Sequence, residues 1–327
     1  MKKRIIYIAL VVIIALSGLI FFLTRDNPSK DALNSIKDLD SYLLEGEMEI
    51  VKGEDIKTYI IQVGYKKDKK ELFKVSLFDK DLNQEQILLA NNKGVYVITP
   101  ALNQSFKFSG GWPLDSPKPY LLQSIYNIIS SDDTEVIKDD ELIRFKSKVN
   151  YPTNKSYDRQ EVLFKDGVLS KVEIFNKGNT NILNINFRKV KYNNEFDKDF
   201  FKVDSTSKAV LSGKVTFEDL PYYPALTYNS SLESREVIGS GDDKTYVLKY
   251  SGDSNFTIIQ SVARANDTFT SITSNGSLID DVDVIASVDE QSITTVYNNM
   301  EITLYSDDLT SEEMLSVIAS LQIVSMK

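Results

Sequence analysis

The sequence predicts a mainly β protein of the α+β class that follows one apolar N-terminal segment. Short runs of alternating apolar and polar residues recur along most of the chain, and turn residues separate them at close spacing. Only three later segments carry the apolar stripe of an amphipathic helix. Of the 327 residues, 42% are hydrophobic and 26% are charged, which suits a folded chain of about two domains.

The composition excludes several classes of enzyme. The chain contains no His and no Cys. Imidazole is the usual general base near neutral pH, and imidazole or thiolate is the usual zinc ligand. Mechanisms of the Ser-His-Asp, Cys-His and zinc-hydrolase types are therefore excluded, which leaves carboxylate pairs, Ser-Lys dyads and oxygen-bound Ca²⁺ or Mg²⁺. We expect a non-enzymatic protein without a cofactor.

Charge is unevenly distributed along the chain. The formal net charge is −9, but residues 208–327 alone carry 18 acidic and only 7 basic side chains. A nucleic-acid-binding protein requires a basic surface, so nucleic acid is not an expected partner. The acidic second half favours solubility, repulsion from anionic polymers or docking of a basic partner.

The N-terminal segment 1–25 is predicted to be a membrane anchor or a signal segment. Met1–Arg4 carries three basic residues, and Ile5–Leu23 is uncharged and long enough to nearly span a bilayer core. This arrangement predicts a single-pass protein with its ectodomain outside the cytoplasm. A signal peptide cleaved near Ala15–Ser17 is the alternative, but it would leave the apolar stretch Leu19–Leu23 as a new terminus. We therefore favour an uncleaved anchor.

Residues 26–204 are predicted to form the first and larger domain. Asp31–Leu39 has the apolar spacing of a short amphipathic helix, and Tyr120–Ile129 has that of a second helix after Trp112-Pro113. Lys165-Asp166-Gly167 predicts a tight hairpin turn. Strands are predicted at 44–51, 59–65, 72–78, 86–90, 95–98, 142–149, 159–164, 169–176 and 181–190. The pattern indicates a long curved antiparallel sheet with a helical lid.

These residues also carry a family resemblance. Gly94–Pro100, Ser105–Phe108, Trp112-Pro113 and the following Tyr120–Leu122 resemble Firmicute members of the LolA-like family, which are outer-membrane-lipoprotein-carrier-like proteins. The resemblance extends over roughly residues 30–203. It includes sporulation and germination lipoproteins such as germination lipoprotein S.

The resemblance implies a half-barrel sheet covered by helices around an apolar cavity. In Gram-negative relatives this cavity carries the acyl chains of lipoproteins, whereas germination lipoprotein S supports a cortex-modifying amidase as a binding partner. The present chain departs from the lipoprotein pattern because it lacks the lipid-bearing Cys. The segment Ile5–Leu23 would then replace the lipid as the membrane anchor.

Six residues are candidates for binding a partner or lining the cavity. Trp112, the only Trp of the chain, precedes Pro in the loop that enters the second helix, and large rings often anchor interfaces. The alternative is that these residues form core beneath the lid, as most helix stripes do. The candidate residues are Trp112, Pro113, Tyr120, Leu121, Leu122 and Ile125.

Residues 205–327 are predicted to form a smaller acidic domain of sheet plus helix, after a linker at 204–207. Thr310 and Glu313 form a capping-box pattern at the start of a closing helix that extends to Leu321. Strands are predicted at 234–238, 245–250, 256–262, 293–296 and 300–305. A LolA-like domain followed by such a module is also similar to periplasmic regulators that bind anti-sigma factors, a likeness of architecture alone.

No metal site is expected. The stretch Asp79–Asn83 is similar to the first half of a calcium loop, but Gln84 and Ala90 stand where Gly and a bidentate Glu are needed. The acidic stretch Asp280–Asp283 is expected to be a solvated turn, since runs of carboxylates usually face water.

Three functional hypotheses follow. The first is a non-catalytic envelope protein of sporulating or germinating cells that binds a protein partner, with a cell-wall amidase or other wall hydrolase as the candidate. The second is a carrier of lipid acyl chains or lipoproteins. The third is a sensor that restrains an anti-sigma-type signalling protein. An enzyme that uses carboxylates alone is the least favoured alternative.

Overall fold

The computed structural model describes residues 28–53, 55–108, 111–112, 117–203, 220–297 and 300–322. The apolar segment Ile5–Leu23, the candidate Pro113 and the linker at 204–207 lie outside these ranges. Among the residues that are described, no helix has the length and apolar character needed to cross a membrane.

A twelve-stranded sheet dominates the first part of the chain. Two helices accompany it, α1 (Pro28–Ile36) and α2 (Leu122–Ile129). The strands, in chain order, are β1 (Ser41–Lys52), β2 (Asp55–Lys67), β3 (Glu71–Asp79), β4 (Gln84–Asn91), β5 (Gly94–Thr99), β6 (Gln104–Phe108), β7 (Glu135–Asp139), β8 (Leu142–Lys148), β9 (Tyr157–Lys165), β10 (Val168–Asn176), β11 (Asn181–Tyr192) and, from much later in the chain, β16 (Thr270–Thr273).

The sheet order is β16-β6-β5-β4-β3-β2-β1-β11-β10-β9-β8-β7. Two antiparallel meanders therefore meet where β1 pairs with β11. Every pair is antiparallel except β16 with β6, so the later part of the chain contributes one parallel edge strand to the first sheet. The Asp166-Gly167 turn between β9 and β10 has positive φ at both residues, which confirms the predicted tight hairpin.

Gly46 marks a β-bulge between β1 and β11. The strand register shifts between Glu45 and Gly46. A Cβ at position 46 would lie 2.4 Å from the carbonyl oxygen of Asn186, so only glycine permits this close strand approach.

Helices cover one face of the first sheet, which we call the helix face. Helix α1 packs against α2, β8 and β10, and α2 packs against β8. Alternate residues of the central strands, among them Leu44, Met48 and Val63, are buried in the core on this face. The predicted helical lid is confirmed, and so is the mainly β, α+β fold class.

An aromatic segment covers part of the opposite face. Phe196, Phe200 and Phe201 pack against one another in tilted and edge-to-face arrangements, with ring centroids 4.5 to 5.0 Å apart. They pack against Leu89 and Ile98 of β4 and β5. These strands are thus buried on both faces, which explains their continuous apolar sequences.

The second part of the chain contains one helix, α3 (Ser311–Ala319), and the strands β12 (Tyr223–Pro224), β13 (Ser230–Ile238), β14 (Thr245–Gly252), β15 (Phe256–Val262), β17 (Ser277–Asp281), β18 (Val284–Asp289), β19 (Ser292–Tyr297), β20 (Met300–Tyr305) and β21 (Leu321–Gln322). Seven of these strands form an antiparallel sheet in the order β13-β14-β15-β20-β19-β18-β17, and β12 pairs with β21.

Helix α3 closes the core of this second sheet. Met314, Leu315 and Ile318 are buried against the strands. The predicted capping box is present: the Glu313 backbone N–H donates to Thr310 Oγ1, and the Thr310 backbone N–H donates to Glu313 Oε2 at 2.9 Å.

Candidate interdomain site

The turn between β17 and β18 is inserted between the two sheets. We call residues 280–283 the acidic hairpin. Asp280, Asp281 and Asp283 are each only 4 to 6% exposed, and Val282 belongs to the core of the first sheet. The expectation of a solvated turn is therefore wrong. Partners distant in the sequence neutralise or hydrogen-bond the carboxylates, which permits their burial.

Asp280 contacts the segment that leads into α2. Its Oδ2 accepts a hydrogen bond from Trp112 Nε1 at 3.1 Å, and its Oδ1 lies 3.2 Å from the buried Lys118 Nζ. Burial raises the pKa of Asp280, although Lys118 and the Trp112 hydrogen bond act in the opposite direction.

Asp283 contacts the first sheet at β1 and β2. Its Oδ1 accepts from Lys52 Nζ at 3.0 Å, and its Oδ2 accepts from Tyr59 OH at 3.0 Å and from Tyr297 OH at 3.4 Å. Burial acts to raise the pKa of Asp283. The charges of Lys52 and Lys57, with the hydrogen bonds from Lys52 and Tyr59, outweigh burial and hold this pKa below its usual value.

Asp281 has weaker partners than its two neighbours. It accepts hydrogen bonds from Thr153 Oγ1 at 3.4 Å and from Asn154 Nδ2 at 3.3 Å. Burial raises its pKa, the charge of Lys52 opposes this, and the nearby Asp283 raises it further.

The acidic hairpin forms a junction between the two sheets through hydrogen bonds. Each carboxylate accepts hydrogen bonds from side chains of the first part of the chain. Within the described ranges, no three acidic side chains converge closely enough to hold a metal ion. A buried carboxylate that loses its partner is strongly destabilising, so these contacts specify how the two sheets meet.

The five candidate residues that the structure describes lie in the core on the helix face. Trp112 is 8% exposed and packs edge-on against Phe73, with ring centroids 6.1 Å apart. The other described candidates are almost completely buried, and they are Tyr120, Leu121, Leu122 and Ile125. The structure brings these five together in the same core, in the position that the core alternative describes. Their role in binding a partner or a ligand stays a prediction.

The described residues line several clefts between the sheets, and two of them are large. One, of about 420 Å³, is lined by β5 and β6 on one side and by β14, β15, β18 and β19 on the other. The second, of about 770 Å³, lies between β1, the loop 152–157 and α3.

Strand β13 is an exposed edge of the second sheet. It pairs with β14 on one side and with no strand of the described chain on the other. Leu232 and Val237 are 42% and 48% exposed. They lie opposite Tyr250 and Tyr246, which are buried in the second core. Since opposite residues of an antiparallel pair face the same side, Leu232 and Val237 extend the apolar core face of the sheet into solvent.

The first sheet with its helical lid is the arrangement that the LolA-like resemblance implies for residues 30–203, and a smaller sheet-plus-helix unit is joined to it. No protein-family model matches the chain. The chain is 29% identical over 303 residues to a Bacillus subtilis protein named sporulation protein YdcC, and the similarity covers 89% of this chain and 88% of that relative.

Similar solved structures have low sequence identity. The MucA/MucB complex of Pseudomonas aeruginosa matches with 9% identity and a TM-score of 0.31, over 90% of this chain and 97% of the other. A LolA superfamily protein from Nitrosomonas europaea matches with 12% identity and a TM-score of 0.30, over 54% of this chain and 96% of the other.

Proposed function

We propose that this chain is a non-catalytic binding protein of the cell envelope, anchored by Ile5–Leu23, that holds a protein partner along the edge strand β13. The exposed edge of β13 is the observation that carries the proposal. Proteins usually shorten, charge or cover such an edge, because its unpaired backbone groups accept another strand. Strand β13 carries Glu233, Arg235 and Glu236 and has a bulge after Leu232, but it is nine residues long and pairs with no described strand on its outer side. A partner strand added there would gain backbone hydrogen bonds and would also cover Leu232 and Val237.

The energetic gain from the two side chains supports a specific contact. Complete burial of a Val or Leu side chain contributes about 1.5 to 3 kcal/mol. Leu232 and Val237 are each about half exposed, so their coverage would contribute about 1 kcal/mol each. Backbone pairing over the nine residues of β13 would add directional contacts to this gain.

The relative named sporulation protein YdcC supports a role in sporulating cells, because the similarity covers most of both chains. A cell-wall hydrolase is the partner that we propose within that role. The absence of His and Cys supports the non-catalytic assignment.

The carrier hypothesis requires open apolar space beneath the lid. In the described structure, Trp112, the α2 residues Leu122 and Ile125, and Val282 of the acidic hairpin fill this region. We therefore favour protein binding. Gently purified full-length protein should contain no stoichiometric acyl chains on extraction, and their presence would favour the carrier hypothesis instead.

The test compares edge-strand variants of the tagged full-length protein purified in mild detergent from sporulating cells. Leu232→Asp/Val237→Asp should lose a stoichiometric protein partner that the unchanged protein retains. Val136→Asp is the matched control, because Val136 is 42% exposed on β7, the edge strand of the other sheet. Retention of the partner by the double variant, or loss from the control alone, contradicts the proposal.

A further inference from the structure

Part of the polar lining of the 420 Å³ cleft between the two sheets takes no part in hydrogen bonds within the described chain. Two cross-strand pairs contribute to it, one on each wall. Thr99 and Gln104 are opposite each other on β5 and β6, and Thr245 and Ser261 are opposite each other on β14 and β15. Hydroxyl and amide groups on facing walls can donate and accept hydrogen bonds from both sides of a ligand.

These four side chains form no hydrogen bond with any other part of the chain that the structure describes. Thr99 is 8% exposed and the other three side chains are partly exposed, so water can satisfy their polar groups in the free protein. Four such groups around one cleft therefore indicate a surface that exchanges water for a ligand with many hydrogen-bonding groups.

Charge in the cleft is balanced. Asp243 and Arg264 form an ion pair with each other, and the remaining charged lining residues, Lys244 and Glu301, have opposite signs. Such a lining offers no net attraction to an anion or a cation. A neutral ligand is favoured on this ground.

Apolar side chains complete the lining. Val97, Phe106, Val262 and Val296 lie among the polar groups. A sugar ring presents hydroxyls at its edge and C–H groups on its faces, and this mixture matches a lining of alternating polar and apolar side chains. The volume lies at the small end of the range for ligand sites, which is about 300 to 1,000 Å³.

We propose that this cleft binds a neutral oligosaccharide segment of one or two sugar rings, held by hydrogen bonds from Thr99 and Gln104 on one wall and from Thr245 and Ser261 on the other. The ligand would contact both sheets and would therefore depend on the junction made by the acidic hairpin. This site is separate from β13, so its test is independent of the protein partner.

The experiment is saturation-transfer NMR on the full-length protein with N,N′-diacetylchitobiose and with cellobiose. A zwitterionic detergent without a sugar headgroup prevents competition for the cleft. At least one disaccharide should show saturation transfer. Thr99→Val and Thr245→Val, which remove a hydroxyl at nearly constant volume, should each weaken its binding by about threefold to tenfold.

The control variant is Thr257→Val, at the opposite end of β15 and outside the cleft. Its affinity for the disaccharide should equal that of the unchanged protein, and all variants should have the same circular dichroism spectrum. The proposal is overturned if neither disaccharide binds, if Thr257→Val weakens binding as much as the cleft variants do, or if an uncharged capped tetrapeptide binds and displaces the sugars.

Discussion

Trp112 Nε1 donates a hydrogen bond of 3.1 Å to Asp280 Oδ2, although the two residues are 168 positions apart in the sequence. The other carboxylate oxygen of Asp280 contacts Lys118. One short segment before α2 therefore satisfies both oxygens of a buried carboxylate from the second sheet. This contact ties the lid of the first sheet to the acidic hairpin.

Trp112→Phe should destabilise the protein by about 1.5 to 3 kcal/mol, because it removes a hydrogen bond to a buried charged acceptor. The measurement is urea unfolding of the full-length protein. In an Asp280→Asn background, the same substitution should cost less, since the acceptor is then neutral. Equal costs in both backgrounds would show that Trp112 acts through packing alone.

Asp283→Asn should reduce stability at neutral pH but have little effect in strong acid. The folded pKa of Asp283 lies below its unfolded value, so its carboxylate contributes stability above about pH 4, and this contribution is lost as the pH falls through the folded pKa. We expect a cost of at least about 1.5 kcal/mol at pH 6 that shrinks toward pH 2.5. Unfolding midpoints measured across this range would test the trend, and a cost independent of pH would contradict it.

Asp281→Asn should have the opposite pH dependence, which makes it the matched comparison two residues away. Burial raises the folded pKa of Asp281. Ionisation therefore removes stability as the pH rises from about 4 through the folded pKa. Asn cannot ionise, so the variant should become more stable relative to the unchanged protein as the pH rises through this range. The same unfolding series measures this difference, and a relative loss of stability would contradict the assignment.

Thr310→Ala should cost about 1 kcal/mol, because it removes the side-chain half of the capping box at the start of α3. Ser311→Ala is the control, since Ser311 lies just inside the helix and does not cap it. Urea unfolding should separate the two variants. An equal effect of both would indicate that helix propensity, and not the cap, determines the loss.

Local signals in the sequence predict much of the fold. The capping box of α3, the Asp166-Gly167 turn and the strongly alternating strands around β1 and β2 are all found where they were predicted. Strand β7 was not predicted because all five of its residues are exposed and three are charged. Ser, Thr and Asp make up most of β16 and β17 and hide their strand pattern. Strand β18 is mostly apolar, but it directly follows the acidic stretch that is predicted to be a turn.

The contacts of the acidic hairpin could not be predicted from the local sequence, because they join residues that are far apart in the chain. A run of acidic residues normally predicts a solvated turn. Asp283 is buried because Lys52, 231 positions away, approaches it to 3.0 Å. Apolar stripes similarly predicted that Leu121 and Ile125 would be enclosed, but not which elements would enclose them. No local pattern in the chain carries this information.

Site-specific photo-cross-linking in sporulating cells tests whether β13 is the edge that binds the partner. A photoreactive phenylalanine analogue replaces Val237 on β13 in one strain and Val136 on β7 in another. Irradiation should join the Val237 position to one envelope protein, and the Val136 position should give no such product. Cross-links to that protein from Val136 and none from Val237 would contradict the assignment of β13 as the binding edge.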